Sequence, residues 1–164
     1  MNRILVDIEE GTTEPAWLGN VEPFMQKILE KLGKDGWELS VLFCSDSFIK
    51  NLNNEYRGID SPTDILSFED GDEYIDDEGE KWISAGDIAI SIETFMKNAE
   101  EFGVPADEEL KRLLIHGILH LSGMDHGEAH IGKDRNFEGG SEEDKKMLEK
   151  QEKLLAELNS AKLM

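Results

Sequence analysis

The stretch "ADEELKRLLIHGILHLSGMDH", residues 106–126, places three of the chain's four histidines beside an apolar stripe. Apolar residues recur at helical spacing, which is typical of a helix packed on a core. Gly123 follows the last of them, and glycine is favoured directly after a helix. We therefore expect a helix that ends at Gly123 and packs as one layer of the fold; its stripe consists of Leu110, Leu114, Ile118 and Leu121.

The histidine spacing indicates a metal site. His116 and His120 are four residues apart, so their rings project from one face of the helix, one turn apart. A left-handed turn at Gly123 would bring His126 back toward this pair. Three imidazoles suit Zn²⁺ and leave a fourth position for water, as in catalytic zinc sites. A pair of histidines at this spacing also occurs on solvated helices, but the third histidine favours a metal. We interpret His130 as a loop residue.

The same spacing fits the zinc-protease pattern H-E-x-x-H-x-x-G-x-x-H at every position except one. The glutamate, which acts as general base in those proteases, is Gly117 here. This difference argues against an ordinary protease. Asp125, next to His126, is compatible with a base, with a group that orients a ligand, or with a turn residue.

The remaining sequence alternates predicted strands and helices without internal repeats. We predict an α+β fold in a single domain over residues 1–164, with a roughly four-stranded mixed sheet, about five helices and a zincin-like metal helix. Asn20 is placed to cap the first helix, and Ser45 or Ser47 the second. The predicted strands are "RILVDI", "WELSVLF", "ILSFE" and "AGDIAIS".

Charge and cysteine content limit the possible partners and location. Asp and Glu total 37 against 17 Lys and Arg, a net charge of −20 that opposes general coating of nucleic acid. Eight acids lie in "EDGDEYIDDEGE", residues 69–80, which we interpret as an acidic loop or a loosely paired hairpin. There is no signal-like start or membrane-length apolar stretch, and the single Cys44 suits a buried thiol. We expect a cytoplasmic protein without a membrane partner.

Four stretches of the sequence resemble one family. "HGILHLSGMDH" resembles the signature H-G-x-L-H-L-x-G-[YM]-D-H of the YbeY endoribonucleases. "LNNEYRGIDSPTDILSF", "GDIAIS" and "MLEKQEKLL" resemble further motifs of that family, in the same order. The resemblance runs from about residue 41 to residue 155. The chain differs from the family pattern in its longer acidic loop and in a loop insert over residues 127–140.

The resemblance implies a single-strand-specific, zinc-dependent endoribonuclease that acts in ribosomal RNA maturation at the small-subunit RNA 3′ end and in ribosome quality control. One zinc ion per chain would be held by His116, His120 and His126, and Arg57 would be catalytic. The implied partners are single-stranded RNA, rRNA, and the small ribosomal subunit or its proteins. A guanidinium suits this role because it can donate two hydrogen bonds to phosphate oxygens. Asp64, Ser67 and Asp87 are expected to fix loops or to support the ligands.

Two other functions stay open at this point. The protease-like spacing favours a zinc-dependent amide or ester hydrolase, and the acidic surface favours a non-catalytic ribosome assembly factor. If the chain binds RNA, we expect a local cationic cleft formed by zinc, Arg57, Lys50 and Lys97, with the acidic loop held away from it. The sequence leaves the oligomeric state open.

Overall fold

Strands and helices alternate along the chain. A computed structural model describes residues 1–123 and 142–164. The strands are β1 (Arg3–Ile8), β2 (Trp37–Cys44), β3 (Ile65–Ile75) and β4 (Lys81–Ser91). The helices of the described part are α1 (Val21–Lys31), α2 (Asp46–Arg57), α3 (Ile92–Phe102), α4 (Ala106–Leu121) and α5 (Glu142–Leu158), with a short 3-10 turn at Leu18–Asn20.

The four strands form one mixed sheet in the order β1-β2-β4-β3. β1 pairs with β2, and β2 with β4, in parallel, whereas β3 and β4 form an antiparallel pair. The parallel pairs are connected through helices, and the antiparallel pair needs only a short turn. β1 and β3 are therefore the two edge strands.

Helices cover the two faces of the sheet unequally. The face that carries Ile65, Ile88 and Ile90 packs with α1, α4 and α5 in one large hydrophobic core. The opposite face has a smaller cluster, in which Ile49 of α2 packs with Leu66 and Ala89. Because side chains alternate along a strand, α2 and α4 lie on opposite faces of the sheet. The predicted α+β fold, with a four-stranded mixed sheet and five helices, is confirmed for the described residues.

The acidic segment differs from the predicted loop. Most of it continues β3, with Tyr74 paired to Trp82 and Ile75 to Lys81, so the hairpin interpretation is correct and the loop is confined to residues 76–80. The side chains of residues 69–75 are exposed, so hydrophobic alternation does not mark them as a strand. The strand forms there through backbone pairing with β4. Asp76 fixes the turn: its carboxylate accepts from Trp82 Nε1 at 2.9 Å and from the backbone N–H groups of residues 78 and 80. These hydrogen bonds, that from Trp82 first, lower the pKa of Asp76.

The two predicted helix caps have different outcomes. Ser45 caps α2, because its hydroxyl accepts from the Phe48 N–H at 3.2 Å. Asn20 precedes α1 but makes no side-chain cap; its amide instead donates to the Leu163 carbonyl at 2.8 Å. The amide that was predicted to cap α1 therefore binds the C-terminal segment instead. No local sequence pattern predicts this contact. Within the described residues no helix has the length and apolarity to cross a membrane.

Candidate metal centre and arginine

α4 is the central helix of the molecule, and it carries the first two candidate ligands. Twelve of its sixteen residues are buried. Three acids occupy its first turn, where the helix dipole favours negative charge, and Lys111 of the next turn forms an ion pair of 2.7 Å with Asp107. Because neighbouring elements surround α4, it presents its side chains from a fixed backbone.

Gly117 lies where α4 touches the sheet. A Cβ atom at this position would be 2.8 Å from Ile88 Cδ1 and 3.2 Å from Ile65 Cδ1. The helix can approach β3 and β4 this closely only without a side chain at position 117. The position therefore faces the sheet and not a bound substrate, and it has no room for the glutamate of the zinc proteases.

Gly86 makes a second close approach, at the last turn of α4. Its φ is +142°, and an added Cβ would be 2.1 Å from the Phe68 carbonyl oxygen and 2.8 Å from Leu121 Cδ2. Both neighbouring strands shift register at this level, between Glu38 and Leu39 and between Glu69 and Asp72. The resulting bulge allows the end of α4 to pack closely against the sheet.

His116 is oriented by a hydrogen bond to a residue of α5. Its side chain is buried, and its Nδ1 lies 2.9 Å from Gln151 Oε1 on α5. A carbonyl oxygen only accepts, so Nδ1 carries the proton and the lone pair is on Nε2. Histidines that bind metals through Nε2 commonly donate from Nδ1 to an oxygen in this way.

His120 is half-buried and lies one turn further along α4, on the same face as His116. Gly123 has a φ of +93°, the positive value expected for a chain reversal. His126 and Asp125 lie outside the described residues, as do His130 and the insert over residues 127–140. Among residues 1–123 and 142–164, no group of three metal-binding side chains is positioned to hold an ion. The third ligand stays a prediction.

Arg57 is the last residue of α2 and is half-buried. Gly58 ends the helix in the left-handed conformation, with a φ of +69°. The adjacent Tyr56 ring meets Phe68 of edge strand β3 at a centroid distance of 5.0 Å. α2 therefore ends beside edge strand β3, on the face opposite to α4.

Comparison with known proteins agrees with the motifs. The family model described as Endoribonuclease YbeY matches residues 7–159. The chain belongs to the YbeY endoribonuclease family. A relative named Endoribonuclease YbeY from Treponema pallidum strain Nichols is 47% identical over 157 residues, covering 96% of this chain and 90% of the relative. A second, from Treponema denticola, is 54% identical over 122 residues, which is 74% of this chain and 77% of the relative.

A solved structure also matches this YbeY-family chain. The solution structure of a Thermotoga maritima protein superposes with a TM-score of 0.58 at 31% identity, covering 96% of this chain and 89% of the other. The family predicted from the motifs, and with it a nuclease that acts on RNA, is confirmed. The ligand set and the role of Arg57 stay predictions.

Three further predicted positions lie around the sheet. Asp64 is buried and accepts from the Ile65 N–H at 2.8 Å and from Thr63 Oγ1 at 3.3 Å, as expected for a loop-fixing residue. Ser67 pairs with Ile88 and therefore lies on the α4 face. Asp87 lies on the opposite face, where it is exposed and accepts a hydrogen bond from the Ser40 hydroxyl, so of its two expected roles this contact favours the fixing of local structure. Strand alternation turns it away from α4.

Gln151 is the residue of this YbeY-family site that our sequence reasoning missed. It is 1% exposed, one turn after Met147 and one turn before Leu154 on the buried stripe of α5. A polar residue on an apolar stripe is a signal, because a buried amide needs specific hydrogen-bond partners. The sequence could have identified Gln151 as a buried polar group, but not His116 as its partner.

Proposed function

We propose that this chain is a zinc-dependent, single-strand-specific endoribonuclease that acts in ribosomal RNA maturation at the 3′ end of the small-subunit RNA and in ribosome quality control. The observation that carries the zinc site is the His116–Gln151 hydrogen bond, which places the proton of a buried imidazole on Nδ1 and its metal-binding lone pair on Nε2. His120 on the same helix face supplies a second imidazole, and His126 is proposed as the third. One ion per chain would then have an open fourth position.

The donor chemistry fits zinc. Neutral imidazole nitrogens on a rigid helix suit Zn²⁺, and the Gln151 carbonyl is the kind of outer partner that orients ligating histidines. Zinc supplies Lewis acidity for phosphodiester cleavage at such a site. Gly123 is proposed to turn the chain so that His126 can join the pair, and Asp125 and Asp64 to support the ligands.

Arg57 is proposed to bind the scissile phosphate. Cleavage adds negative charge to the nonbridging phosphate oxygens, and a guanidinium can donate to two of them at once. The end of α2 beside β3 suits this role, because α4, the helix of the two histidines, approaches the same strand from the other face. Gly117 of α4 lies against Ile65 at the start of β3. We therefore expect the substrate to lie across the edge formed by β3.

The alternative amide or ester hydrolase is less well supported. The zinc proteases place a carboxylate after the first histidine, and the packing at Gly117 leaves no space for one. An assembly factor without catalysis would not need a metal site with an open position. RNA as substrate agrees with the family, and the ribosomal partners are proposed from the resemblance.

A single-turnover RNA cleavage assay tests this function. Single-stranded RNA and the same sequence in a duplex are incubated with zinc-free and zinc-reconstituted protein. We expect zinc-dependent cleavage of the single strand, and a rate about 10² to 10³ lower for Arg57→Ala at saturating RNA. Arg57→Lys tests whether two parallel donors are needed. Lys27→Ala, which removes an exposed positive charge from α1, serves as the matched control.

The outcomes separate the alternatives. Cleavage that continues at the wild-type rate in Arg57→Ala, with weaker RNA binding, would make the arginine an anchor and not a catalytic group. Zinc-dependent hydrolysis of peptides or esters without RNA cleavage would favour the amide or ester hydrolase. No cleavage by a zinc-loaded protein would favour the assembly factor.

A further inference from the structure

The buried stripe of α5 is interrupted by one amide. Met147, Leu154 and Leu158 pack into the main core, and Gln151 lies on the same stripe. A leucine or methionine would suit this position if packing alone mattered, since an amide is costly to bury without partners. Gln151 has a specific partner for each end of its amide, and one of them is His116.

A second hydrogen bond, to Glu152, fixes the orientation of the Gln151 amide. Its Nε2 donates to Glu152 Oε2 at 3.1 Å, which leaves Oε1 directed at His116. Glu152 is in turn held by Arg112, whose Nε and Nη2 reach the two carboxylate oxygens at 3.0 and 3.1 Å. Arg112 is only 7% exposed and also contacts Glu109 at 3.3 Å. A flipped amide would direct an N–H at His116 and lose the bond to Glu152.

Resting on the zinc site proposed above, we propose that Gln151 is a positioning residue that holds His116 with its proton on Nδ1, and that the Arg112–Glu152 pair fixes the Gln151 amide. His116 then presents Nε2 to zinc before the metal arrives. The chain from Arg112 through Glu152 and Gln151 to His116 ties the ligand to α5, so zinc affinity depends on residues that do not touch the ion.

Three variants separate positioning from packing. Gln151→Met keeps much of the volume but removes the acceptor. Gln151→Glu keeps an acceptor for the Nδ1 proton. Met147→Leu changes a buried apolar residue one turn earlier on the same stripe and is the packing control. Two quantities are measured: the ring tautomer of His116 in zinc-free protein, by long-range ¹H–¹⁵N correlation NMR, and the zinc Kd, by chelator competition.

We expect wild type, Gln151→Glu and Met147→Leu to keep the proton on Nδ1, whereas Gln151→Met shows a mixture of tautomers. Zinc affinity should fall about 10- to 100-fold in Gln151→Met and stay within a few-fold of wild type in the other two variants. Glu152→Ala should weaken zinc binding in the wild-type background. It should have little effect in the Gln151→Glu background. Both oxygens of a carboxylate are acceptors, so either one can accept the Nδ1 proton.

Two results would overturn the proposal. One is a zinc-free wild-type protein with the His116 proton on Nε2; the other is equal zinc affinity and equal tautomers in wild type and Gln151→Met. A loss of zinc affinity in Met147→Leu as large as that in Gln151→Met would also overturn it, since packing would then explain both. A wild-type protein that binds no zinc would overturn the proposed function. Control of the tautomer by Gln151 would still stand, because it is measured without the metal.

Discussion

At the scale of single residues, Gly117 explains why this helix departs from the zinc-protease pattern. The departure is visible in the sequence, but its cause is not, since only the fold shows that the position touches Ile65 and Ile88. The i, i+4 spacing of His116 and His120 was sufficient to place both on one helix face. The Gln151 hydrogen bond joins α4 to α5 across 35 residues of sequence, so no local pattern could predict it.

The packing at Gly117 gives a stability prediction. Gly117→Ala gains about 1 kcal/mol of helix propensity but adds a Cβ 2.8 Å from Ile88 Cδ1. Overpacking costs about 1 to 3 kcal/mol, so we expect a net loss of about 1 kcal/mol in urea unfolding. Ile88→Val removes the contacting methyl group, and in that background the alanine should be neutral or stabilising. An equal loss in both backgrounds would contradict the packing explanation.

Cys44 gives a prediction for alkaline pH. The residue is fully buried, and burial, reinforced by Glu9 and Asp46, raises the pKa of its thiol to about 12. In the unfolded chain the thiol has a pKa of about 8.5, so between these values the unfolded state loses a proton that the folded state keeps. The stabilising contribution is therefore complete below about pH 8.5 and decreases above it, by up to about 1.4 kcal/mol per pH unit.

Urea unfolding of wild type and Cys44→Ala from pH 7 to pH 10 measures this difference. The variant should have a flatter dependence above pH 8.5 than wild type. Parallel curves for the two proteins would show that the folded thiol ionises as readily as the unfolded one.

At the scale of elements, periodicity predicted the helices better than the acidic hairpin. α4 carries its stripe in its own sequence, whereas the outer part of β3 is exposed and is formed by pairing with β4. The hairpin begins beside α4, because a Cβ added at Gly86 would approach both Phe68 and Leu121. The acidic segment therefore starts near the last turn of α4, and its position relative to the proposed cationic cleft stays a prediction.

The bulge at Gly86 gives the prediction at this scale. Gly86→Ala places a Cβ 2.1 Å from a backbone carbonyl oxygen, so β3 must move. We expect a loss of about 2 to 4 kcal/mol in urea unfolding. Gly79→Ala is the matched control, because Gly79 also has a positive φ, +83°, but no atom lies within 4 Å of an added Cβ. It should lose only about 1 kcal/mol. Equal losses at the two positions would show that close packing at Gly86 is unimportant.

At the scale of the whole molecule, a net charge of −20 has to be reconciled with an RNA substrate. The sequence revealed this difficulty but could not locate the acids relative to the site. Of the two lysines expected in a cationic cleft, Lys50 forms an exposed ion pair of 3.9 Å with Asp60, and Lys97 is exposed on α3. RNA binding must then overcome a long-range repulsion between the acidic protein and the RNA. Salt screens this repulsion, and it also screens the attractive contacts to phosphate.

RNA affinity should consequently fall less steeply with salt than for a basic nuclease. At about 0.1 M salt the screening length is about 10 Å, so acids near the end of α4 should matter most. Glu69→Gln with Asp72→Asn should raise affinity and steepen the salt dependence. Neutralising two acids in the turn between β3 and β4, by Asp77→Asn with Glu78→Gln, should have a smaller effect on RNA affinity. A larger effect at the turn would contradict the proposed approach of RNA to the β3 edge.

The central claim, a zinc ion held by three histidines, is tested most directly by the zinc content of reconstituted protein. We predict one zinc ion per chain for wild type and for His130→Ala, and less than about a tenth of that for His116→Ala, His120→Ala and His126→Ala at zinc concentrations that saturate wild type. X-ray absorption should show three imidazole nitrogens at about 2.0 to 2.1 Å and one ligand that is not from the protein. Full zinc content in His126→Ala together with its loss in His130→Ala would contradict the proposed ligand set, and a wild-type protein without zinc would contradict the site itself.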